Sequence, residues 1–217
     1  MRVMATHEQR GGRGRDGYHH GNLREVLIAA ALEMIAERGV AGFAIAELAR
    51  AVGVSQAAPY RHFRDRNALI AEVARRGFEQ LAAELDAARR STGADPLAAL
   101  ERSAQAHLAF ARREGAVYAA MFEAGFPAGE YPELLKARDG AFGVLRLAAQ
   151  MACDRSRAPR RPPALMVALH VWSLTHGIAD LFMGQDGDGR DPLPMPPADL
   201  LEAGLLMYLQ SLDLAGN

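Results

Sequence analysis

Between residues 55 and 62 the sequence crowds hydrogen-bonding groups together: Ser55, Gln56, Tyr60, Arg61 and His62, with Ala57, Ala58 and Pro59 interleaved. The Gln56 carboxamide can pair with a base edge, and the methyls of Ala57 and Ala58 can pack on a thymine methyl. The hydroxyl, guanidinium and imidazole of Tyr60, Arg61 and His62 suit phosphate, a contact that fixes register without reading sequence. Arg66 adds a cation just beyond them. These groups reach a duplex together when they occupy the early part of a helix inserted in the major groove.

The flanking residues are suited to positioning such a helix. Ile45, Leu48, Ala49 and Val52 recur at helical spacing and give a preceding helix one apolar face. Gly53 follows, where a helix stop tolerates a left-handed backbone. Val54 anchors the turn, and the Ser55 hydroxyl is placed to cap the next helix. Small Ala49, four residues before the glycine, allows two helices to cross closely, as a helix-turn-helix requires. Pro59 deletes one early backbone bond, a modest fault in so short a helix, and Phe63 points inward. An ordinary helical hairpin with a polar surface is the alternative. Agreement of cap, glycine, small crossing residue and donor cluster speaks against it.

The run GVSQAAPYRHFRDRNALI resembles the TetR family of bacterial transcriptional repressors, whose first three helices bind DNA. The resemblance extends upstream through NLREVLIAAALEMIAERG and is strong over roughly residues 22–75. Further on, HVWSLTHGIADLF resembles a TetR subgroup named for a Trp-His-Gly signature, here Trp172, His176 and Gly177. The resemblance implies an all-α chain: an N-terminal three-helix helix-turn-helix DNA-binding domain, then a C-terminal helical ligand-binding and dimerisation domain. It also implies a dimeric repressor that binds a palindromic double-stranded DNA operator and is released by a small-molecule effector. Three positions depart from the family pattern. Ala44 stands where Ser or Thr usually caps the second helix, Ala46 where a basic residue is common, and Arg66 where lysine is usual.

At 217 residues the chain is long enough to bury a sizeable core, and half of it is hydrophobic. No run is read as reaching transmembrane length and no signal peptide precedes the first helix, so a soluble cytoplasmic protein is expected. A single cysteine, Cys153, excludes an internal disulfide and a thiolate metal cluster, and is read as a packing residue rather than a redox sensor. The net charge of −1 is unevenly placed: residues 1–76 carry +4 and residues 77–217 carry −5. A basic beginning and an acidic remainder suit one part that touches DNA and one that does not. Lys136 is the sole lysine among 25 basic residues.

Residues 1–20, with Arg10, Arg13 and Arg15 among glycines, are expected to be a flexible arm, either a solvated tail or a minor-groove contact. The DNA-binding domain is placed at 21–66 and the remainder at 67–217. The spacing predicts a first helix over 22–38 and a long helix from about 65 to 90 that links the two. Further helices are predicted near 96–113, 115–124, 132–153, 163–184 and 197–213. Asp186, Asp188 and Asp191 superficially suggest a calcium loop, but Asp191 and Pro197 occupy the places of the required glycine and glutamate.

Helix 163–184 is apolar nearly all round, and 197–213 carries two apolar stripes, so a homodimer through these helices is expected. Aromatic and Met side chains with a few polar tips could line an effector site: His107, Phe110, Tyr118, Met121, Phe122, Met166, Trp172 and His176. For each of these singly, core packing competes. His176 is the sharpest case, because a histidine in an apolar helix must find a hydrogen-bond partner. An enzyme is not expected. His170 and His176 are six apart and fall on different helix faces, and neither a phosphate loop nor a nucleophile elbow is present. No cofactor or metal is expected.

Overall fold

Eight α-helices and one short 3-10 segment, without a strand, form the residues that the computed structural model describes: 23–93, 95–127, 129–156, 161–182 and 194–212. The arginine-bearing arm and the aspartates at 186, 188 and 191 lie outside the described residues.

The first helix, α1 (Leu23–Arg38), buries Leu27, Ile28, Ala31 and Ile35. The second, α2 (Ile45–Ala51), begins without a capping side chain because Ala44 has no acceptor. Half of a capping box survives, since the Glu47 carboxylate accepts the Ala44 N–H at 2.9 Å. The turn after α2 is built as its residues dictate. Gly53 sits at φ +74°, and the Val54 N–H donates to the Ala49 carbonyl at 3.0 Å.

The helix expected to start at Ser55 is not an α-helix. A turn leads into a 3-10 segment, Pro59–Arg61, and then into a bend. The cause is Pro59, which has no N–H to donate to the Ser55 carbonyl. The Ala58 N–H takes that carbonyl at 3.0 Å, and Arg61 and His62 continue with bonds three residues back at 3.2 and 3.0 Å. Ser55 therefore has no α-helix to cap.

The long helix α3 (Arg66–Arg90) is capped by Asp65, whose carboxylate accepts the Ala68 N–H at 2.8 Å. It serves two hydrophobic cores. Leu69, Ile70 and Val73 join α1, Phe43, Leu48 and Phe63 in the first, while Phe78, Leu81 and Leu85 belong to the second. The first core thus draws on residues beyond the expected boundary at 66. The second is completed by α4 (Pro96–Arg113), α5 (Gly115–Phe122), α6 (Pro132–Arg155), α7 (Ala164–Phe182) and α8 (Pro197–Ser211). Cys153 is a buried member of it.

Like α3, α5 serves both cores: Ala120 packs in the first, Tyr118 and Met121 in the second. Gly77 allows α3 and α5 to meet. A Cβ there would lie 2.5 Å from Val117 Cγ1 and 2.6 Å from Met121 Sδ. An ion-pair network fastens α1 to α3 from outside. Glu72 accepts from Arg24 at 3.0 Å, Arg75 at 2.9 Å and Arg76 at 2.7 Å, and Arg76 reaches Glu25 as well.

Contrary to the sequence reading, α7 is long and apolar enough to cross a membrane by length and composition alone. Its Val167, Ala168, Val171, Ile178 and Ala179 are buried in the second core. Leu165, Met166, Leu169 and Leu181 project outward, each about half exposed, as does Leu206 on α8, where Met207 is more exposed still.

Candidate DNA interface and ligand cleft

The 55–62 segment presents its donors outward over a closed base. Ser55, Gln56, Ala57, Tyr60, Arg61 and His62 are exposed, Ala58 is half-buried, and Pro59 and Phe63 are buried beneath them. Tyr60 is 54% exposed, a large aromatic held in solvent with its hydroxyl free to meet a partner outside the chain. Six exposed side chains on one compact bend form a surface that can dock in a groove, with phosphate donors at one end and Gln56 at the other.

Arg66 differs from its companions. Its Nε donates to the Phe43 carbonyl at 2.8 Å and its guanidinium lies 4.7 Å over the Phe43 ring. One of its terminal nitrogens is buried without a partner, and burial pushes its pKa down. Arg66 thus braces the loop before α2 instead of projecting with Tyr60, Arg61 and His62.

Arg64, which the motif reading passed over, does extend outward. It pairs with Asp65 at 2.8 Å and with Glu130, and its Nη2 donates to the Tyr131 hydroxyl at 3.4 Å. The Asp65 and Glu130 carboxylates hold its pKa above the usual guanidinium value, the Asp65 hydrogen bond contributing most. Glu130 and Tyr131 lie just before α6, so the residue after Phe63 is tied to the segment that leads into that helix. Nothing in the local pattern announces a bond between residues 66 positions apart.

Seven of the eight ligand candidates collect in one region, and most of them are packing. His107, Phe110 and Tyr118 are almost fully buried, and Phe122, Trp172 and His176 are half-buried against them. The His107 and Trp172 rings are 4.6 Å apart, as are Tyr118 and Phe122, and Phe122 lies 4.4 Å from His176. His176 finds its partner inside the chain: its Nδ1 is 2.7 Å from the Tyr118 hydroxyl, which is also 3.1 Å from His107 Nε2. With Tyr118 donating across the shorter contact, His107 donates to Tyr118 from Nε2. Burial holds His107 neutral, with its pKa far below the ordinary imidazole value, and raises that of Tyr118. Met166 stands apart from this cluster, 45% exposed on the outer face of α7. An all-round apolar helix does not reveal which of its faces turns inward.

Open space lies next to this cluster. A cleft of about 470 Å³ runs between α3, the 125–131 segment and α6. Met121 and Phe122 reach it from the predicted set, joined by Phe78, Phe126, Tyr131, Leu134, Leu135 and Arg138. Phe126 and Tyr131 meet edge to face at 5.4 Å. The helices predicted near 115–124 and 132–153 leave this segment between them, and its aromatics carry no period that would mark a site. Among the described residues no cluster of His, Cys, Asp and Glu could hold a metal ion.

Comparison with known proteins agrees with this geometry. Residues 27–73 match the model of bacterial regulatory proteins of the tetR family, and residues 100–207 match the tetracyclin repressor-like C-terminal domain. A search of curated proteins finds no match. Among solved structures, a protein of unknown function from Rhodococcus sp. RHA1 is 30% identical, with a TM-score of 0.76, covering 92% of this chain and 100% of that one. The TetR family transcriptional regulator PfmR from Thermus thermophilus is 21% identical, with a TM-score of 0.68 and coverage of 85% and 97%. AibR, solved in complex with isovaleryl coenzyme A and operator DNA, is 16% identical, with a TM-score of 0.67 and coverage of 85% and 96%. The first family model covers most of the first hydrophobic core and the second model most of the second, and the chain belongs to the TetR family of DNA-binding transcriptional regulators.

Proposed function

We propose that the protein is a cytoplasmic, ligand-responsive repressor. It binds a palindromic operator as a homodimer and leaves it when a small-molecule effector occupies the 67–217 region. The exposed donor bend at 55–62 carries this reading. Gln56 and Ala57 are offered to base edges, with Ala58 beside them and Ser55 at the approach, while Tyr60, Arg61 and His62 hold phosphates. Arg66 supports the surface from below by fixing the loop before α2.

The outward apolar side chains of α7 and α8 support a dimer. Leu165, Met166 and Leu169 on one helix and Leu206 and Met207 on the other leave large apolar side chains exposed, which a partner subunit would cover. A two-fold axis through these helices presents two donor bends to two half-sites. The positions of Trp172, His176 and Gly177 support membership of the Trp-His-Gly subgroup, and the Tyr118–His176 bond gives that signature a packing role. AibR, solved with isovaleryl coenzyme A and operator DNA, supports the reading that a chain of this fold can serve both a small-molecule ligand and an operator.

Selection of bound sequences from random duplex DNA by the purified protein at physiological salt tests the reading. A palindrome enriched over successive rounds is expected. Binding that only fades with salt and enriches nothing would leave a non-specific DNA-binding protein and sink the operator reading.

A further inference from the structure

We infer that the cleft between α3, the 125–131 segment and α6 binds an apolar monoanion, a carboxylate carried on an alkyl or aryl body, with Arg138 meeting the charge. This names the effector class for the reading above and rests on that reading for its use in the cell. The binding itself stands apart from DNA.

The cleft's size is the first argument: about 470 Å³ is within the range of small-molecule sites. Its walls are the second. Phe78, Met121, Phe122, Phe126 and Leu134 offer rings and aliphatic surface, so the body of the guest is apolar. Charge is the third argument and selects the class. Arg138 is the charged residue lining the cleft, and no acidic side chain lines it. Its contact with the neighbouring Asp139 is loose at 3.6 Å, with both side chains more than half exposed. One guanidinium suits one carboxylate, which it can hold through two parallel hydrogen bonds. A cationic guest would face Arg138 with no counter-charge, and a polyanion would outnumber the single cation.

Two other clefts among the described residues do not offer this combination. The one between α1 and the α4–α5 corner carries Arg113, but that guanidinium is already paired with Glu84 at 2.7 Å and Glu114 at 3.1 Å. The one beside His62 is walled by arginines and glutamates bonded to each other.

Isothermal titration of the full-length protein, without DNA, tests the inference. The probes are octanoate, decanoate and 4-phenylbutyrate, each beside its primary amide. At least one carboxylate is expected to saturate at one per chain, with its amide about tenfold weaker or more. Arg138→Gln abolishes that preference and Arg138→Lys retains part of it, both with unchanged circular dichroism. Leu135→Trp, which fills the cleft from a half-buried position, abolishes binding. Failure of every carboxylate to bind, equal binding of acid and amide, or undiminished binding to folded Leu135→Trp would each overturn the inference. A failed operator selection leaves these titrations as they are, and failed titrations leave the selection as it is.

Discussion

The Arg64 guanidinium reaches the Tyr131 hydroxyl at 3.4 Å, and Tyr131 is at the same time a wall of the 470 Å³ cleft. One side chain therefore faces the cleft on one side and the residue after the donor bend on the other. A guest that shifts Tyr131 must disturb the Arg64 attachment. Tyr131→Phe and Glu130→Gln weaken that attachment without altering the 55–62 surface. Both variants should bind the selected operator within about twofold of the parent, yet lose most of an effector effect whose ordinary size is about 5- to 150-fold. Fluorescence anisotropy with and without the carboxylate reads the difference. An unaltered response in both variants would remove the link from the coupling path.

The two ends of the donor bend should fail in different ways. Tyr60→Phe, Arg61→Ala and His62→Ala are expected to weaken binding to all duplexes alike, and Arg61→Ala, which removes a cation, to lower the salt slope by about one. Gln56→Ala should relax preference at one symmetric pair of base positions, worth about 1–3 kcal/mol. Repeating the selection with each variant separates the roles. A changed consensus for His62→Ala would move it from phosphate to base.

Gly77→Ala forces α3 and α5 apart where a methyl would meet Val117 and Met121. Overpacking of this kind costs about 1–3 kcal/mol. Urea unfolding should show a lower midpoint at unchanged slope. A midpoint equal to the parent's would mean that α5 yields without strain.

Acid should act through Glu72. Three arginines hold its carboxyl down to about 2 from an ordinary 4.5, the Arg75 hydrogen bond contributing most. A folded-state value below the unfolded one stabilises the protein above about pH 4.5, and that stability is lost as pH falls towards about 2. Because the network is partly open to solvent, its loss is worth about 1 kcal/mol. Thermal unfolding across this range should fall more gently in Glu72→Gln than in the parent. Parallel curves would show that other carboxyls dominate.

Leu169→Glu and Met207→Glu place charge on the outward face of α7 and α8, where both parent residues are exposed. Sedimentation velocity should show dimer for the parent and monomer for either variant at micromolar concentration. Retained dimers would put the two-fold axis elsewhere.

The helices were legible because their ends are chemically marked. Asp95 before Pro96, Asp65 before α3 and Pro132 at the start of α6 announce starts, and buried leucines at helical spacing fill the rest. The donor bend was legible as a surface and misread as a helix. Pro59 was counted as one missing bond, whereas in so short a segment that bond decides between α and 3-10 geometry. The outward position of Met166 was not legible because on α7 the apolar pattern is nearly continuous, and burial divides it where hydropathy does not. The cleft was not legible. It joins Phe78 on α3, Phe126 and Tyr131 from the crossing segment and Arg138 on α6, and only the folded chain brings those positions together.

The sharing of α3 and α5 between two cores makes the DNA-reading part a poor candidate for transplantation. A fragment cut at residue 66 leaves behind Leu69, Ile70, Val73 and Ala120, which fill its interior. A chimera that swaps operator specificity must therefore keep its seam beyond Val73 and bring a compatible α5, or else change only the outward residues of 55–62. The chain is assembled more like a hinge with a common pin than like two beads on a string.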